Sequence, residues 1–157
     1  MNRVHNFSAG PAILPLEVLQ QVQADLVDYQ GTGASIMEKS HRGADYTQVH
    51  EEATALLTSV LGLGNDFEVL FLQGGASTQF LMAPMNLLSK GQTADYINTG
   101  AWSTKAIKEA KVYGEVHEVY SGKDVDFTQI PTQEELALSE HARYVHFTSN
   151  NTIFGTQ

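Results

Sequence analysis

Leu16, Leu19, Val22 and Leu26 recur at helical spacing, and Pro15 stands where a helix can begin. Gly31 and Gly33 end that segment. A clearer helix follows, in which Tyr46, Val49, His50, Ala53, Leu56, Leu57, Val60 and Leu61 form one apolar-rich stripe, stopped by Gly62 and Gly64. The period then switches. The short apolar run Val69-Leu70-Phe71-Leu72 reads as a strand, Gly74-Gly75 as a turn, and the pattern from about Thr78 to Leu88 as a helix. Tyr96-Ile97 with its neighbours reads as a strand and Trp102 to Tyr113 as a helix. Val116, Glu118 and Tyr120 alternate with His117 and Val119 in another strand. Pro131 to Glu135 opens a short helix with Thr132 as its cap, and Tyr144-Val145-His146-Phe147 is a strand leading into the polar loop Thr148-Ser149-Asn150-Asn151-Thr152.

Strands alternating with helices predict right-handed crossovers, hence an α/β fold with a mainly parallel sheet covered on both faces as a three-layer sandwich. The first stretch, Asn6 to Ala12, is broken by Gly10 and Pro11 and reads as an irregular arm. No internal repeat or low-complexity segment is visible. A strand, an open loop and Ile153 to Gln157 close the sequence without a covering helix. An uncovered sheet edge is a liability, so the pattern is expected to be the front part of something longer.

Composition narrows the function classes. The chain is 42% hydrophobic and 17% charged, which excludes collagen-like, disordered and coiled-coil readings. Nine Lys and Arg face 18 Asp and Glu, a formal charge of -9. Such a surface repels phosphate backbones and anionic lipid, so nucleic acid and membrane are not the expected partners. Cysteine is absent, which removes disulfides, thiolate metal sites and a cysteine nucleophile. The start carries no apolar signal core, and no apolar run approaches bilayer length. A cytoplasmic protein is expected. His5, His50, His117, His141 and His146 make no recognisable metal motif.

Three places carry candidate chemistry. Gly74-Gly75-Ala76-Ser77-Thr78 joins a predicted strand to a predicted helix, where small residues let backbone N–H groups approach an anion at a helix start. The hydroxyls of Ser77 and Thr78 add donors. The competing reading is a tight turn with Ser77 as a helix cap; neither a Walker A loop nor a GxGxxG fingerprint is present. Trp102, the single tryptophan, opens a helix and offers a flat face for a planar ligand or an anchor for the core. Ser40-His41-Arg42-Gly43 is a charged turn whose Arg suits a carboxylate or phosphate, or simply a solvated loop.

Taken together, these pieces resemble the N-terminal part of the phosphoserine aminotransferase family, pyridoxal-phosphate transaminases of the class V group with the type I fold. The resemblance rests on Asn6-Phe7-Ser8-Ala9-Gly10-Pro11-Ala12, Ser40-His41-Arg42-Gly43, Gly74-Gly75-Ala76-Ser77-Thr78-Gln79-Phe80, Thr99-Gly100-Ala101-Trp102-Ser103 and Asn151-Thr152-Ile153-Phe154-Gly155. It implies an arm over residues 1–14 and, over 15–157, the front of the cofactor-binding large domain, with the rest of that domain and the C-terminal small domain absent. Ala76 and Ser77 are implied to bind the cofactor phosphate, Trp102 to stack on the pyridine ring and Thr152 to hydrogen-bond its phenolic oxygen. Arg42 is implied to take the substrate carboxylate, with Ser8 and His41 nearby.

The implied reaction moves an amino group between glutamate and 3-phosphohydroxypyruvate, giving phosphoserine and 2-oxoglutarate in serine biosynthesis, in a homodimer. The family's Schiff-base lysine and the aspartate that pairs with the pyridine nitrogen lie beyond Gln157 in this pattern, so this chain alone is expected to be inactive. Lys39, Lys90, Lys105, Lys108, Lys111 and Lys123 stand outside that context and read as solvated surface. The alternative function is a non-catalytic binding or assembly module that needs a partner chain to complete its site. A weaker third reading is another class V enzyme acting on a different amino acid.

Overall fold

The computed structural model describes residues 3–157, and the chain forms two compact units, Met1–Phe71 and Leu72–Gln157. In the first unit residues 3–14 carry no regular element, and Arg3 Nη2 donates to the Leu14 carbonyl at 3.0 Å. Helix α1 (Leu16–Asp25) starts directly after Pro15, as its spacing predicts. Two 3-10 turns follow, Tyr29–Gly31 and Ile36–Glu38. Ser35 caps the second: its Oγ accepts the Met37 N–H at 3.2 Å, while Glu38 Oε2 accepts the Ser35 N–H at 2.9 Å.

Helix α2 (Ala44–Val60) ends at Gly62, whose φ of 63° closes the turn and lets the Leu63 N–H reach the Thr58 carbonyl at 3.0 Å. Its apolar stripe forms as read but is not buried within this unit: Val60 is 80% and Leu56 64% exposed. Ser35 is the only buried residue among the described residues here.

Residues 69–72 do not form the strand expected of them; they carry no regular element and have no ladder partner among the described residues. A short apolar run satisfies strand patterning equally well as irregular chain, and only a hydrogen-bonded neighbour makes it a strand.

The core lies in the second unit. Helix α3 (Gly75–Leu87) begins three residues before the periodic pattern shows it. It is followed by β1 (Thr93–Asn98), α4 (Ala101–Ala110), β2 (Glu115–Ser121) and β3 (Val145–Phe147). The strands form one parallel sheet in the order β2-β1-β3, with Asp95 opposite both His117 and Val145. The α/β class with a parallel sheet is therefore the one the alternation predicts. The stretch Pro131 to Glu135 gives only a single 3-10 turn, Gln133–Glu135, with Glu135 Oε2 accepting the Thr132 N–H at 2.7 Å.

Period-2 alternation divides β1 between two environments. Ala94 and Tyr96 pack with Leu88 and with Ala106, Ile107 and Ala110 of α4, all buried. Asp95 and Ile97 belong to the opposite face. Asp95 is fully buried there, and its carboxylate accepts the Ser139 N–H at 2.6 Å and the Ser139 hydroxyl at 2.7 Å, with His117 Nδ1 at 3.2 Å. This binds the irregular stretch after β2 back to the central strand. Charge-assisted bonds to backbone and hydroxyl meet the desolvation cost of burying a carboxylate. On that face Ile97, Ile130, Leu136 and Phe147 line a cavity of about 300 Å³.

His146 sits at the middle of β3, its ring stacked on Tyr96 with centroids 4.7 Å apart, and its Nδ1 is buried without a hydrogen-bond partner. Phe80 meets the ring edge-on, and Tyr144, whose hydroxyl pairs with that of Tyr96 at 2.8 Å, completes the cluster. Burial pushes the His146 pKa below the ordinary 6.5 and raises those of both tyrosines. Above about pH 6.5 the histidine is neutral in folded and unfolded chains alike. As pH falls through that value only the unfolded chain takes up the proton, so stability declines. The difference between the parent and His146→Phe in urea melts is expected to grow below pH 6.5, by at most about 1.4 kcal/mol per pH unit, and to stay constant above it.

Candidate functional site

The loop before α3 builds one wall of a second cavity. Gly74 takes φ 96° and Gly75 φ 62°, both left-handed, so that the chain turns directly into the helix. A Cβ on Gly74 would collide with Thr78 Oγ1, so only glycine fits. The first-turn N–H groups of Gly75, Ala76 and Ser77 have no acceptor one turn back, as at any helix start. Thr78 does not add a donor, contrary to the expectation from its hydroxyl: its Oγ1 donates to the Gly74 carbonyl at 2.9 Å. Ser77 is not the cap either, since Gly74 holds that position and Ser77 Oγ accepts from Lys105 Nζ at 2.9 Å.

The opposite wall comes from the start of α4 and the loop after β3. Trp102 is half-buried, and its indole Nε1 donates to Thr152 Oγ1 at 3.1 Å. The cavity, about 400 Å³, is lined by Gly74, Gly75, Ala76, Ser77, Phe80, Trp102, Thr148, Asn150 and Thr152. Four residues named from the sequence, Ala76, Ser77, Trp102 and Thr152, thus share one cavity although the last lies 75 positions after Ser77 in the chain.

Asn151, which sequence reading passed over, holds those walls together. It is fully buried. Its Oδ1 accepts the Trp102 backbone N–H at 3.3 Å, and its Nδ2 donates to Thr99 Oγ1 at 2.7 Å and to Ser103 Oγ at 3.3 Å. Its own N–H donates to the Thr156 carbonyl at 2.9 Å, and its carbonyl accepts from Phe154 and Gly155. Gly100 passes so close that a Cβ there would lie 2.6 Å from Asn151 Oδ1. Ser103 then donates to Thr148 Oγ1 at 3.0 Å, linking α4 to the end of β3. Two adjacent asparagines in a polar loop carry no mark of which one is buried.

The remaining sequence-derived residues, Ser8, His41 and Arg42, belong to the first unit and are exposed. Ser8 lies in the arm, its N–H donating to Asn6 Oδ1 at 2.9 Å. Ser40 to Gly43 is a tight turn closed by the Gly43 N–H to the Ser40 carbonyl at 2.8 Å, and it places Arg42 just before α2. Among the described residues no carboxylate pairs with Arg42; nearby Asp45 is taken by Lys39 at 3.0 Å. No group of three or more His, Asp or Glu is placed to hold a metal ion, and no helix is long and apolar enough to cross a membrane, among the described residues.

A glycine-opened helix start thus faces an aromatic ring across one cavity, beside the C-terminal ends of β1 and β3 in an α/β unit with a parallel sheet. The chain belongs to the class-V aminotransferases, whose family model matches residues 4–157. Within that family its relatives are phosphoserine aminotransferases. Those of Niallia circulans and Desulfatibacillum aliphaticivorans are 55% and 56% identical, each over 99% of this chain and 43% of its own length. The chain therefore spans about two fifths of the length of these relatives. The solved phosphoserine aminotransferase of Bacillus circulans subsp. alkalophilus superposes with a TM-score of 0.90 at 54% identity, over 95% of this chain and 41% of that one. The enzyme of Trichomonas vaginalis, solved with pyridoxal phosphate bound, gives 0.88 at 36% identity, over 98% and 43%.

Replacing Asn151 by Ala leaves the Trp102 N–H and the Thr99 and Ser103 hydroxyls without their buried partner. Asn151→Ala is expected to cost about 1–3 kcal/mol in urea unfolding and to make Trp102 fluorescence more accessible to acrylamide. Unchanged quenching would show that Asn151 does not hold the tryptophan.

Proposed function

We propose that this chain forms the pyridoxal-phosphate-binding face of a phosphoserine aminotransferase. One observation carries the reading: Ala76 and Ser77 at the start of α3 stand across a single cavity from the hydrogen-bonded pair Trp102 and Thr152. The cavity suits the cofactor on physical grounds. A glycine turn with free first-turn N–H groups fits a phosphate, and an indole face fits a pyridine ring. Thr152 Oγ1 accepts from the indole, so its own proton is free to donate to an oxygen on that ring.

When bound, the cofactor draws away the electron pair released at the substrate α-carbon, which is what makes amino transfer accessible. This chain's residues bind and orient. Ala76 and Ser77 hold the phosphate through N–H and hydroxyl donors, Trp102 fixes the ring plane, and Thr152 fixes its rotation within that plane. Arg42, which has no carboxylate partner among the described residues, is assigned the carboxylate of glutamate or of the phosphorylated substrate, with His41 and Ser8 as further substrate residues. The amino group passes between glutamate and 3-phosphohydroxypyruvate, giving phosphoserine and 2-oxoglutarate. We place residues 15–157 in the front of the cofactor-binding domain of a cytoplasmic homodimer. The lysine that joins the cofactor, and the aspartate at its ring nitrogen, are supplied by sequence outside these 157 residues.

Because Trp102 is the only tryptophan, its fluorescence reports on this site alone. Pyridoxal phosphate titrated into the chain is expected to quench it saturably, and Ser77→Ala to weaken binding by about tenfold, the worth of one bond to a charged acceptor. Loss of quenching in the parent chain would overturn the site. Arg42→Ala is expected to lower the affinity for phosphoserine, by calorimetry, at unchanged cofactor affinity; equal loss of both would remove Arg42 from a substrate role. Saturable binding with no exchange of amino groups is the outcome expected of this chain alone, because the lysine that joins the cofactor lies outside these residues.

A further inference from the structure

The residues that line the cavity are all uncharged, and the chain as a whole carries -9. A phosphate monoester brings up to two negative charges near neutral pH. Backbone donors and one helix start offset only part of that, about half an elementary charge for the helix end. Among the described residues, Lys105 is the one cation whose hydrogen bond reaches a residue lining the cavity: its Nζ donates to Ser77 Oγ at 2.9 Å. It stands three residues after Trp102 on α4, hence on the same side of that helix, and the packing of α4 on α3 brings its ammonium over the start of α3.

We propose that Lys105 is the counter-charge of the cofactor phosphate, acting beside Ser77 as a binding residue. The inference rests on the cofactor reading above and names a contact that reading did not contain. The geometry has a direct consequence. By donating to Ser77 Oγ, Lys105 uses the oxygen lone pair and leaves the Ser77 proton free to point at an anion. The ammonium carries two further N–H donors for the same anion, so hydroxyl, ammonium and first-turn amides converge on one group. The charge is exposed, so its contribution is sensitive to salt. Lys108, three residues further along α4, makes no such bond among the described residues and serves as the control.

The probes are pyridoxine 5′-phosphate and pyridoxine, titrated into this chain and followed by Trp102 fluorescence. Both have an alcohol in place of the aldehyde, so neither forms a covalent bond with any lysine. Lys105→Met is expected to weaken pyridoxine 5′-phosphate by about tenfold at low salt, as for loss of one charge-assisted bond, and to leave pyridoxine unchanged. Lys105→Arg is expected to restore most of the loss, and Lys108→Met to cause none. The loss should shrink as salt is raised. Equal affinity of the parent and Lys105→Met for pyridoxine 5′-phosphate, with Ser77→Ala still weakened, would overturn the role of Lys105 and leave the cofactor site standing. Equal loss for the ester and for pyridoxine would overturn it too, since the lysine would then act on the ring or on the fold. No binding of either probe by the parent chain would overturn the cofactor reading and this inference with it. A loss seen with pyridoxal phosphate but not with its alcohol analogue would show Lys105 acting as an amine, not as a counter-charge.

Discussion

The cavity depends on one buried amide. Asn151 spends its side chain on the N-terminus of α4 and on the hydroxyls of Thr99, before that helix, and Ser103, within it, and its backbone on the closing turn of its own loop. Each of these groups would be costly to bury alone; satisfied together, they make the geometry of the loop after β3 a function of the geometry of α4. Trp102 and Thr152, the two side chains flanking Asn151 in this network, inherit their separation from it. The glycine at position 100 belongs to the same constraint, because any side chain there would displace the amide. A wall made of two segments about fifty residues apart can then act as one surface.

The sheet supplies the frame on which that amide acts. Parallel pairing places the C-terminal ends of β1 and β3 side by side, so the loops leaving them meet at one edge. In open α/β sheets this is the edge at which ligands gather. The α4 side of β1 is an ordinary apolar core built from alanine, isoleucine and tyrosine. The other side holds a buried carboxylate, Asp95, in which polar satisfaction replaces hydrophobic packing. One six-residue strand thus anchors a packed helix on one face and an irregular chain on the other, as period-2 alternation permits.

How much of this was legible in the sequence follows from the range of the interactions. The helices α1, α2, α3 and α4 and the three strands show in local periodicity, because each reports which face meets apolar neighbours. Ala76, Ser77, Trp102 and Thr152, which line one cavity, stand out in the sequence only through motifs, and a motif does not show the geometry that brings them together. The misreadings are of another kind. Val69 to Leu72 has the composition of a strand but no partner, and partnership is non-local. Thr78 has a hydroxyl suited to an anion, but the tight turn at Gly74 draws it inward. Asn151 and Asp95 are polar residues that pattern assigns to the surface; only the fold shows that their partners are other buried polar groups.

Lys105 shows where periodicity and electrostatics must be read together. As one of several lysines on a helix it looks like solvated surface, and its exposure agrees with that. Its spacing of three from Trp102 places it on the ligand side of the helix, and a negative protein offers few other ways to hold a dianion. A long, flexible side chain is suited to this position, because it adds charge at the rim without occupying the cavity that the ring must fill. A buried cation would demand its own counter-ion whenever the site stood empty, at a desolvation cost of several kcal/mol or more. Placed at the rim on Ser77, Lys105 remains hydrated and carries no such cost, so the site can be both neutral inside and attractive to an anion at its mouth.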